Sequence, residues 1–403
     1  MIGGLNLRNL FPAIVTGNAG VYLDNAAMTQ LGTPVAGAMA AFLRDGRANV
    51  KRGIYPLAVR ATDTFEAARA SVARYLGAAQ SSEVIFTSGA TAAINLAAHA
   101  FGATLAPGDE VIVGEGEHHA NIVPWQMLRG RAGVVLKVLP VDDQGCPRAD
   151  ALGGLLTDKT RLVAVTHCSN VIGAVTDIAA FADVLKDSPA KLLIDGAQMA
   201  AHGPIDVRAL GCDFYIVTGH KMFGPTGIGA LWGRADILED LPPFMGGGEM
   251  IRRVTFDETT YAPAPHRFEA GTPPVIQAIG LGAAADWLGG IEWPEVRAHE
   301  AALCRRMLDG LVGMAGVRVL GPGGKDVRAP IVSFTVEHAH PHDVCHVMGE
   351  KGVALRGGHH CAQPLMDRFG VDATTRASIA LYNTEGDVDA FLTALGETLK
   401  VIR

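Results

Sequence analysis

Between residues 84 and 235 short apolar runs alternate with stretches of helical periodicity. "EVIFTSG" leads into the Ala-rich "ATAAINLAAHAFGA", and "DEVIVGEGEHHANIVPW" repeats that rhythm. "VVLKVLPV", "RLVAVTHCSN", "KLLIDGAQ", "DFYIVTG" and "GIGALWG" follow as further short strands. Continuous apolar strands separated by helical segments predict an α/β fold whose mostly parallel sheet has helices on both faces. In such sheets ligands collect beyond the carboxyl ends of the strands. Ser88, Thr91, His118, Asn170, Asp195, Gln198, His220 and Lys221 all fall at or just after predicted strand ends.

From 242 the composition shifts to Pro and Gly, "PPFMGGGEM" and then "APAPHRFEAGTPP", which predicts irregular loop to 274 and a helix over roughly 275–290. Helical periodicity resumes in "IEWPEVRAHEAALCRRMLDGLVGM". The strand "APIVSFTV", a helix near 341–350 and "VALRGG" complete a smaller α+β unit. The expected organisation is an N-terminal arm over 1–18, a large domain over 19–265, an interdomain segment and helix over 266–290, and a small domain over 291–403. No internal repeat or low-complexity tract interrupts it.

At 403 residues the chain is long enough for two domains with ample core, and 49% hydrophobic with 19% charged residues is ordinary for a globular protein. The net charge of −7, without a long basic stretch, argues against nucleic acid as a partner. Cysteines 146, 168, 212, 304, 345 and 361 lack CxxC spacing and read as reduced thiols in a cytoplasmic protein. The N-terminus does not resemble a signal peptide, and no apolar run is long enough to cross a bilayer, so no membrane association is expected.

Two constellations carry candidate chemistry. Lys221, in "DFYIVTGHKMFGPTGIG", lies 26 positions after Asp195 in "KLLIDGAQ". A lysine in so apolar a stretch is costly without a reason. It suits pyridoxal 5′-phosphate (PLP): the amine can form a Schiff base with the cofactor aldehyde, and the aspartate can keep the pyridine nitrogen protonated. "GPTGIG" matches neither nucleotide-binding glycine pattern. The turn "TSGATAAIN" offers Gly89, Ala90 and Thr91 as phosphate donors at a helix start, where an ordinary helix cap is the alternative; Thr218 and His220 flank the lysine within reach of the same phosphate. His118 suits stacking on the ring and proton exchange near neutral pH, and on an extended backbone His119 must point elsewhere.

Cys361, in "LRGGHHCAQPLMDRFG", is the second constellation. Most lone cysteines are inert, but Arg356, His359 and His360 crowd this one in a loop and favour a nucleophilic thiolate. Consecutive His359, His360 and Cys361 cannot readily place three ligands on one tetrahedral zinc ion. His342 and His346 in "EHAHPHDVCHVM" share a helix face but lack an HExxH carboxylate, so no metal is expected. Arg376, in "TTRASIALYNT", suits a bidentate clamp on a substrate carboxylate, with a surface ion pair as the alternative. Together these residues point to a PLP enzyme that takes sulfur from an amino acid.

The motifs "VYLDNAA", "EHHANIVPWQ", "DGAQ", "GCDFYIVTGHKMFGPTGIG", "RFEAGTP", "RGGHHCAQPLM" and "RASIALYNT" resemble, nearly end to end, the SUF-type (group II) cysteine desulfurases of the class V aminotransferase superfamily. The resemblance implies a fold type I PLP homodimer acting on L-cysteine for iron–sulfur cluster assembly or other sulfur trafficking; the short stretch from Arg356 to Cys361, with Pro364 just after it, makes the cysteine loop stiff, so a separate small sulfur-acceptor protein is expected to dock and take the sulfur. It makes Lys221 the Schiff-base residue, sets Asp195, Gln198 and His118 at the ring, and gives Thr91, Thr218 and His220 to the phosphate, with Thr272 reaching over from the other subunit. Asn170 and Arg376, with Arg356 near them, would hold the substrate carboxylate, and Cys361 would accept sulfur. Ala90 stands for a usual threonine, Ala92 for a usual glutamate and Lys51 for a usual histidine. Selenocysteine lyase and cysteine sulfinate desulfinase activities use the same site logic. A class V transaminase, which needs no thiol, and a non-catalytic sulfur-carrying scaffold are the more distant alternatives.

Overall fold

The structure is a computed structural model describing residues 7–323 and 328–402; residues 1–6 of the expected N-terminal arm lie outside the described residues. In chain order the strands are β1 (Val21–Tyr22), β2 (Val84–Thr87), β3 (Glu110–Gly114), β4 (Val135–Leu139), β5 (Thr160–Thr166), β6 (Lys191–Asp195), β7 (Phe214–Thr218) and β8 (Gly229–Gly233). The short β9 (Ile251–Val254) and β10 (Thr259–Tyr261) follow, then β11 (Val317–Leu320), β12 (Ile331–Val336), β13 (Val353–Ala354), β14 (Arg356–Gly358) and β15 (Thr374–Ser378).

A seven-stranded sheet in the order β2-β8-β7-β6-β5-β3-β4 forms the centre. Its neighbours pair in parallel except β8, which runs antiparallel to both β2 and β7. β7 reads Phe-Tyr-Ile-Val-Thr, and all five residues are buried because helices cover both faces. β4 sits at the edge, so its side chains are partly exposed despite the apolar run. On one face the Ala-rich helix Ala90–Ala100 lays Ala93, Ile94, Ala97 and Ala98 against Ile85, Leu193 and Ile216. On the other, helix Pro56–Tyr75 contributes Phe65 and Val72, packed with Tyr215, Val217 and Ile194. Pro at its first turn costs no hydrogen bond there.

A four-stranded antiparallel sheet, β11-β12-β15-β14, packs against helices Trp293–Val312, Pro341–Glu350 and Glu385–Val401 through Met307, Phe334, Val344 and Phe391. Two findings modify the sequence reading. β9 and β10 form an antiparallel pair inside the stretch expected to be irregular loop over 242–274. β1 pairs in parallel with β13, not with the large sheet, so residues 21–23, placed above in the large domain, pack with the C-terminal unit.

Candidate active site

The chain directions bring the carboxyl ends of β2, β3, β5, β6 and β7 to one edge. A cavity of about 690 Å³ opens there, lined from the sheet by Ser88, Gly89, Thr91, His118, Asn170, Asp195, Gln198, Thr218, His220 and Lys221. The C-terminal unit closes it with Arg356, His359, His360, Cys361 and Arg376. Among the described residues one cavity therefore unites all the predicted site residues except Thr272. Thr272 is exposed and lines a separate cleft with Arg47 and Asn49.

The strand–turn–helix after β2 builds an anion site. Gly89 is the N-cap of helix Ala90–Ala100, at φ 151°, with no side-chain cap, so the first N–H groups are open to the cavity. The turn packs tightly on β8: a Cβ on Gly229 would sit 2.7 Å from the Gly89 Cα, so only glycine fits. Beside this turn the Thr218 hydroxyl lies 3.1 Å from Nδ1 of His220. Burial, with the neighbouring Lys221 charge, pushes His220 down to about 4, so its ring is neutral.

Lys221 lines this cavity. Burial lowers its ammonium pKa, Asp195 opposes that shift and Arg376 adds to it. Asp195 ends β6 buried, with Oδ1 accepting the Ala197 N–H at 3.0 Å; burial raises its carboxyl and the amide and Lys221 resist. The Ala197 amide and, after it, the Lys221 charge both favour the carboxylate form that burial opposes. Gln198 is turned aside in part, its Nε2 donating to the Ala26 carbonyl at 2.7 Å.

At His118, expected to exchange protons near neutral pH, burial and the charges of Lys221 and Arg376 push the ring down to about 4. Its Nδ1 accepts the Ala120 N–H at 3.0 Å, so the neutral ring carries its proton on Nε2. His118 is itself extended (φ −62°, ψ 146°) and caps a 3-10 turn over His119–Asn121, so the extended backbone ends before His119. His119 faces the cysteine loop: its N–H donates to the Cys361 carbonyl at 2.6 Å and its Nε2 accepts the Gln363 N–H at 3.1 Å. Behind them Glu117 is buried between Asn121 Nδ2 (2.7 Å) and the Thr166 N–H (2.8 Å), and burial pushes its carboxyl up to about 8.

Cys361 is exposed at the cavity mouth. His360 (φ 52°) and Cys361 (φ 55°) are both left-handed, a conformation that costs non-glycine residues on the order of 1–3 kcal/mol each and persists where surroundings dictate it. Here they do. Asn170 Nδ2 donates to the His360 carbonyl at 2.7 Å, His360 Nε2 reaches the Thr374 hydroxyl at 2.9 Å, and the Cys361 N–H donates to His359 Nδ1 at 3.0 Å. Donor atoms of His119, His359 and Cys361 lie within 4.8 Å of one another, a grouping that adjacency in sequence did not suggest. The hydrogen-bond acceptor roles of His119 Nε2 and His359 Nδ1 already occupy one lone pair on each ring.

Arg376, on β15, is buried, which pushes it down to about 10. Its Nη1 donates to the Asn170 carbonyl at 2.7 Å, its Nη2 to Asp24 at 3.3 Å, and its Nε has no protein partner. Arg356 also binds Asp24, at 2.8 Å. Asp24, in "VYLDNAA", is the functional-site residue that motif spacing alone did not single out: it is the shared counter-ion of both arginines. Lys51 lies outside the cavity, 3.5 Å from Glu269, which also holds the buried Arg69.

These features meet the needs of PLP: an open helix N-terminus with Thr218 and His220 for a phosphate, Asp195 for a ring nitrogen, and the half-buried Lys221 amine for an aldehyde. The Aminotransferase class-V family model matches residues 21–391. A "Probable cysteine desulfurase" of Streptomyces coelicolor is 45% identical over 380 residues, 93% of this chain and 91% of that protein. A "Cysteine desulfurase" of Klebsiella pneumoniae is 43% identical over 401 residues, 98% of each chain. The fold superposes on the crystal structure of the cysteine desulfurase CsdA (S-sulfonic acid) from Escherichia coli with a TM-score of 0.92, at 38% identity and 98% coverage of both chains. On the apo cysteine desulfurase of Thermococcus onnurineus the TM-score is 0.94, at 34% identity over 100% of this chain and 99% of that one. By sequence and by fold, the chain belongs to the class-V aminotransferase family.

Proposed function

We propose that the protein is a PLP-dependent cysteine desulfurase that converts L-cysteine to L-alanine and takes the sulfur onto Cys361 as a persulfide. The observation that carries this reading is one cavity holding a half-buried lysine and a buried aspartate at its floor and an exposed cysteine on a pinned loop at its mouth.

Thr91, Thr218, His220 and the amides after Gly89 would hold the phosphate, with Asp195, Gln198 and His118 at the ring. PLP bound there supplies an electron sink for negative charge developing at the substrate Cα. Arg376 and Arg356, both lining the cavity, bind the substrate carboxylate, drawing on the charge now shared with Asp24. Lys221, its ammonium disfavoured by burial, has a lone pair to take the Cα proton. Sγ of Cys361 then attacks the substrate sulfur: an S–S bond forms, the Cβ–S bond breaks, and its electron pair stays with the carbon skeleton, where protonation completes alanine. The His118 ring holds an Nε2 proton on the cavity side of this chemistry.

The same reading makes the enzyme a homodimer in the cytoplasm, with Thr272 offered to a partner's cavity; its exposure away from its own cavity supports this. Among the described residues no helix is long and apolar enough to cross a membrane. The cysteine loop is short and held at both ends, so it cannot carry its persulfide far, which favours a small acceptor protein docking at the mouth. The test is alanine and sulfide production from L-cysteine, with and without reductant and acceptor, in wild type and Cys361→Ala. The variant should keep the cofactor's visible absorbance and lose persulfide formation; undiminished cysteine turnover refutes the mechanism.

A further inference from the structure

Glu117 is a buried carboxylate that takes no part in the chemistry above, yet it stands one residue before His118. Glu117 is 1% exposed and its partners Asn121 and Trp125 are 0% exposed, so water cannot replace a bond lost among them.

The hydrogen bonds of this cluster run in one direction. Trp125 Nε1 donates to Asn121 Oδ1 at 3.0 Å, and Asn121 Nδ2 donates to Glu117 Oε2 at 2.7 Å. The Thr166 N–H donates to Glu117 Oε1 at 2.8 Å. An indole N–H can only donate, so Trp125 fixes which end of the Asn121 amide faces Glu117. Glu117 must therefore accept at both oxygens, which a carboxylate does and a neutral amide cannot. Burial pushes its carboxyl up, and these two donors oppose that shift. The chain also makes room for the group: β3 ends in Gly114, where a Cβ would lie 2.5 Å from Oε1.

Asn121 closes the 3-10 turn that follows His118, its N–H donating to the His118 carbonyl at 2.7 Å. That one turn serves both halves of the cavity. His118 lines the cavity, while the His119 N–H holds the Cys361 carbonyl at 2.6 Å and His119 Nε2 accepts the Gln363 N–H at 3.1 Å. Glu117 fastens the turn to the carboxyl end of β5, from which the chain runs on to Asn170, another anchor of the cysteine loop.

We propose that Glu117 is a positioning residue for the sulfur-transfer step: it holds the His119–Asn121 turn, so that His118 stays at the cofactor cavity and His119 keeps the Cys361 loop in place. The role rests on the desulfurase reading and adds to it a residue that does not line the cavity.

Glu117→Gln in the holoenzyme keeps the side chain's shape but sets an amide N–H against a donor. The double variant Glu117→Gln/Asn121→Asp restores every bond, because the new carboxylate accepts from both Trp125 and the new amide, whose carbonyl still accepts from Thr166. Single-turnover persulfide formation should fall roughly 5- to 30-fold in Glu117→Gln, as for one lost buried hydrogen bond, and return to within about threefold of wild type in the double variant. Cysteine binding, followed through the cofactor's absorbance, should stay unchanged. Hydrogen exchange at the Cys361 and Gln363 amides should quicken at least about fivefold in the single variant and recover in the double one. Exchange is read without turnover, so a wild-type protein that forms no persulfide counts against the desulfurase reading, whereas unaltered exchange in Glu117→Gln overturns the role of Glu117. The role is equally overturned by a double variant no better than the single one in folding, exchange or rate. A single variant with a lowered Tm whose folded protein transfers sulfur at the wild-type rate would make Glu117 merely structural and overturns it too.

Discussion

Asn170→Ala tests whether the cysteine loop is held in its reactive geometry by the sheet beneath it. The Asn170 side chain makes one bond that matters here, from Nδ2 to the His360 carbonyl at 2.7 Å, while its own carbonyl accepts from Arg376 and survives truncation. His360 and Cys361 are both left-handed, so the loop relaxes toward other conformations once its anchors weaken. Losing a buried hydrogen bond of this kind costs about 1–2 kcal/mol. If the whole of it is expressed as misplacement of Sγ, the rate of persulfide formation falls roughly 5- to 30-fold. The assay is single-turnover persulfide formation, with cysteine binding followed separately through the cofactor's absorbance. We expect a slower sulfur-transfer step at nearly unchanged binding. A variant that binds cysteine at least about tenfold more weakly yet transfers sulfur at the wild-type rate would show that Asn170 serves the substrate carboxylate and that the loop argument is wrong.

Lys221→Ala should abolish turnover, and borohydride reduction of the wild-type holoenzyme should fix the cofactor to Lys221; label on another lysine refutes the assignment. Asp24→Asn removes the carboxylate that Arg356 and Arg376 share, so the buried Arg376 loses its one protein counter-charge among the described residues. Its pKa, already down to about 10, should fall further, and the alkaline limb of kcat/KM for cysteine should move to lower pH; an unmoved limb would exclude Arg376 from substrate binding. Stability should decline on acidification from about pH 6.5 toward 4. His118, His167 and His220 titrate near 4 in the fold and His360 near 3, all below their unfolded value, so the unfolded chain binds more protons in that window. A Tm that stays level from pH 6.5 to 4.5 contradicts the buried, neutral state of these rings.

What could be read in the chain before its structure was the part that local pattern encodes. Asp195 and Lys221 end β6 and β7, runs so apolar that a terminal charge stands out, and the strand ends had to meet because the strands are parallel. Gly89 and Thr91 followed from the strand–turn–helix at "TSGATAAIN" by the same logic. What could not be read were contacts that close the chain over long separations. Asp24 reaches Arg376 across 352 positions and Arg356 across 332, and its own neighbourhood shows no helix or strand period that would mark it. His119 looked like the spare member of a histidine pair, since an extended backbone sends neighbours to opposite sides. A 3-10 turn replaces that alternation and sends it to the Gln363 N–H just past Cys361, 244 positions away. The state of the His118 ring depends equally on place: an exposed imidazole titrates near neutrality, and only burial beside Lys221 and Arg376 makes it a neutral donor. The same reasoning accounts for Cys361. Its neighbours in sequence suggested reactivity, yet the backbone that carries it is held by Asn170, Thr374 and His119, none of which adjoins it in the chain. The geometry of that position therefore depends on how the C-terminal elements pack on the strand ends of the large sheet, and changes in that packing should be felt first at the cysteine.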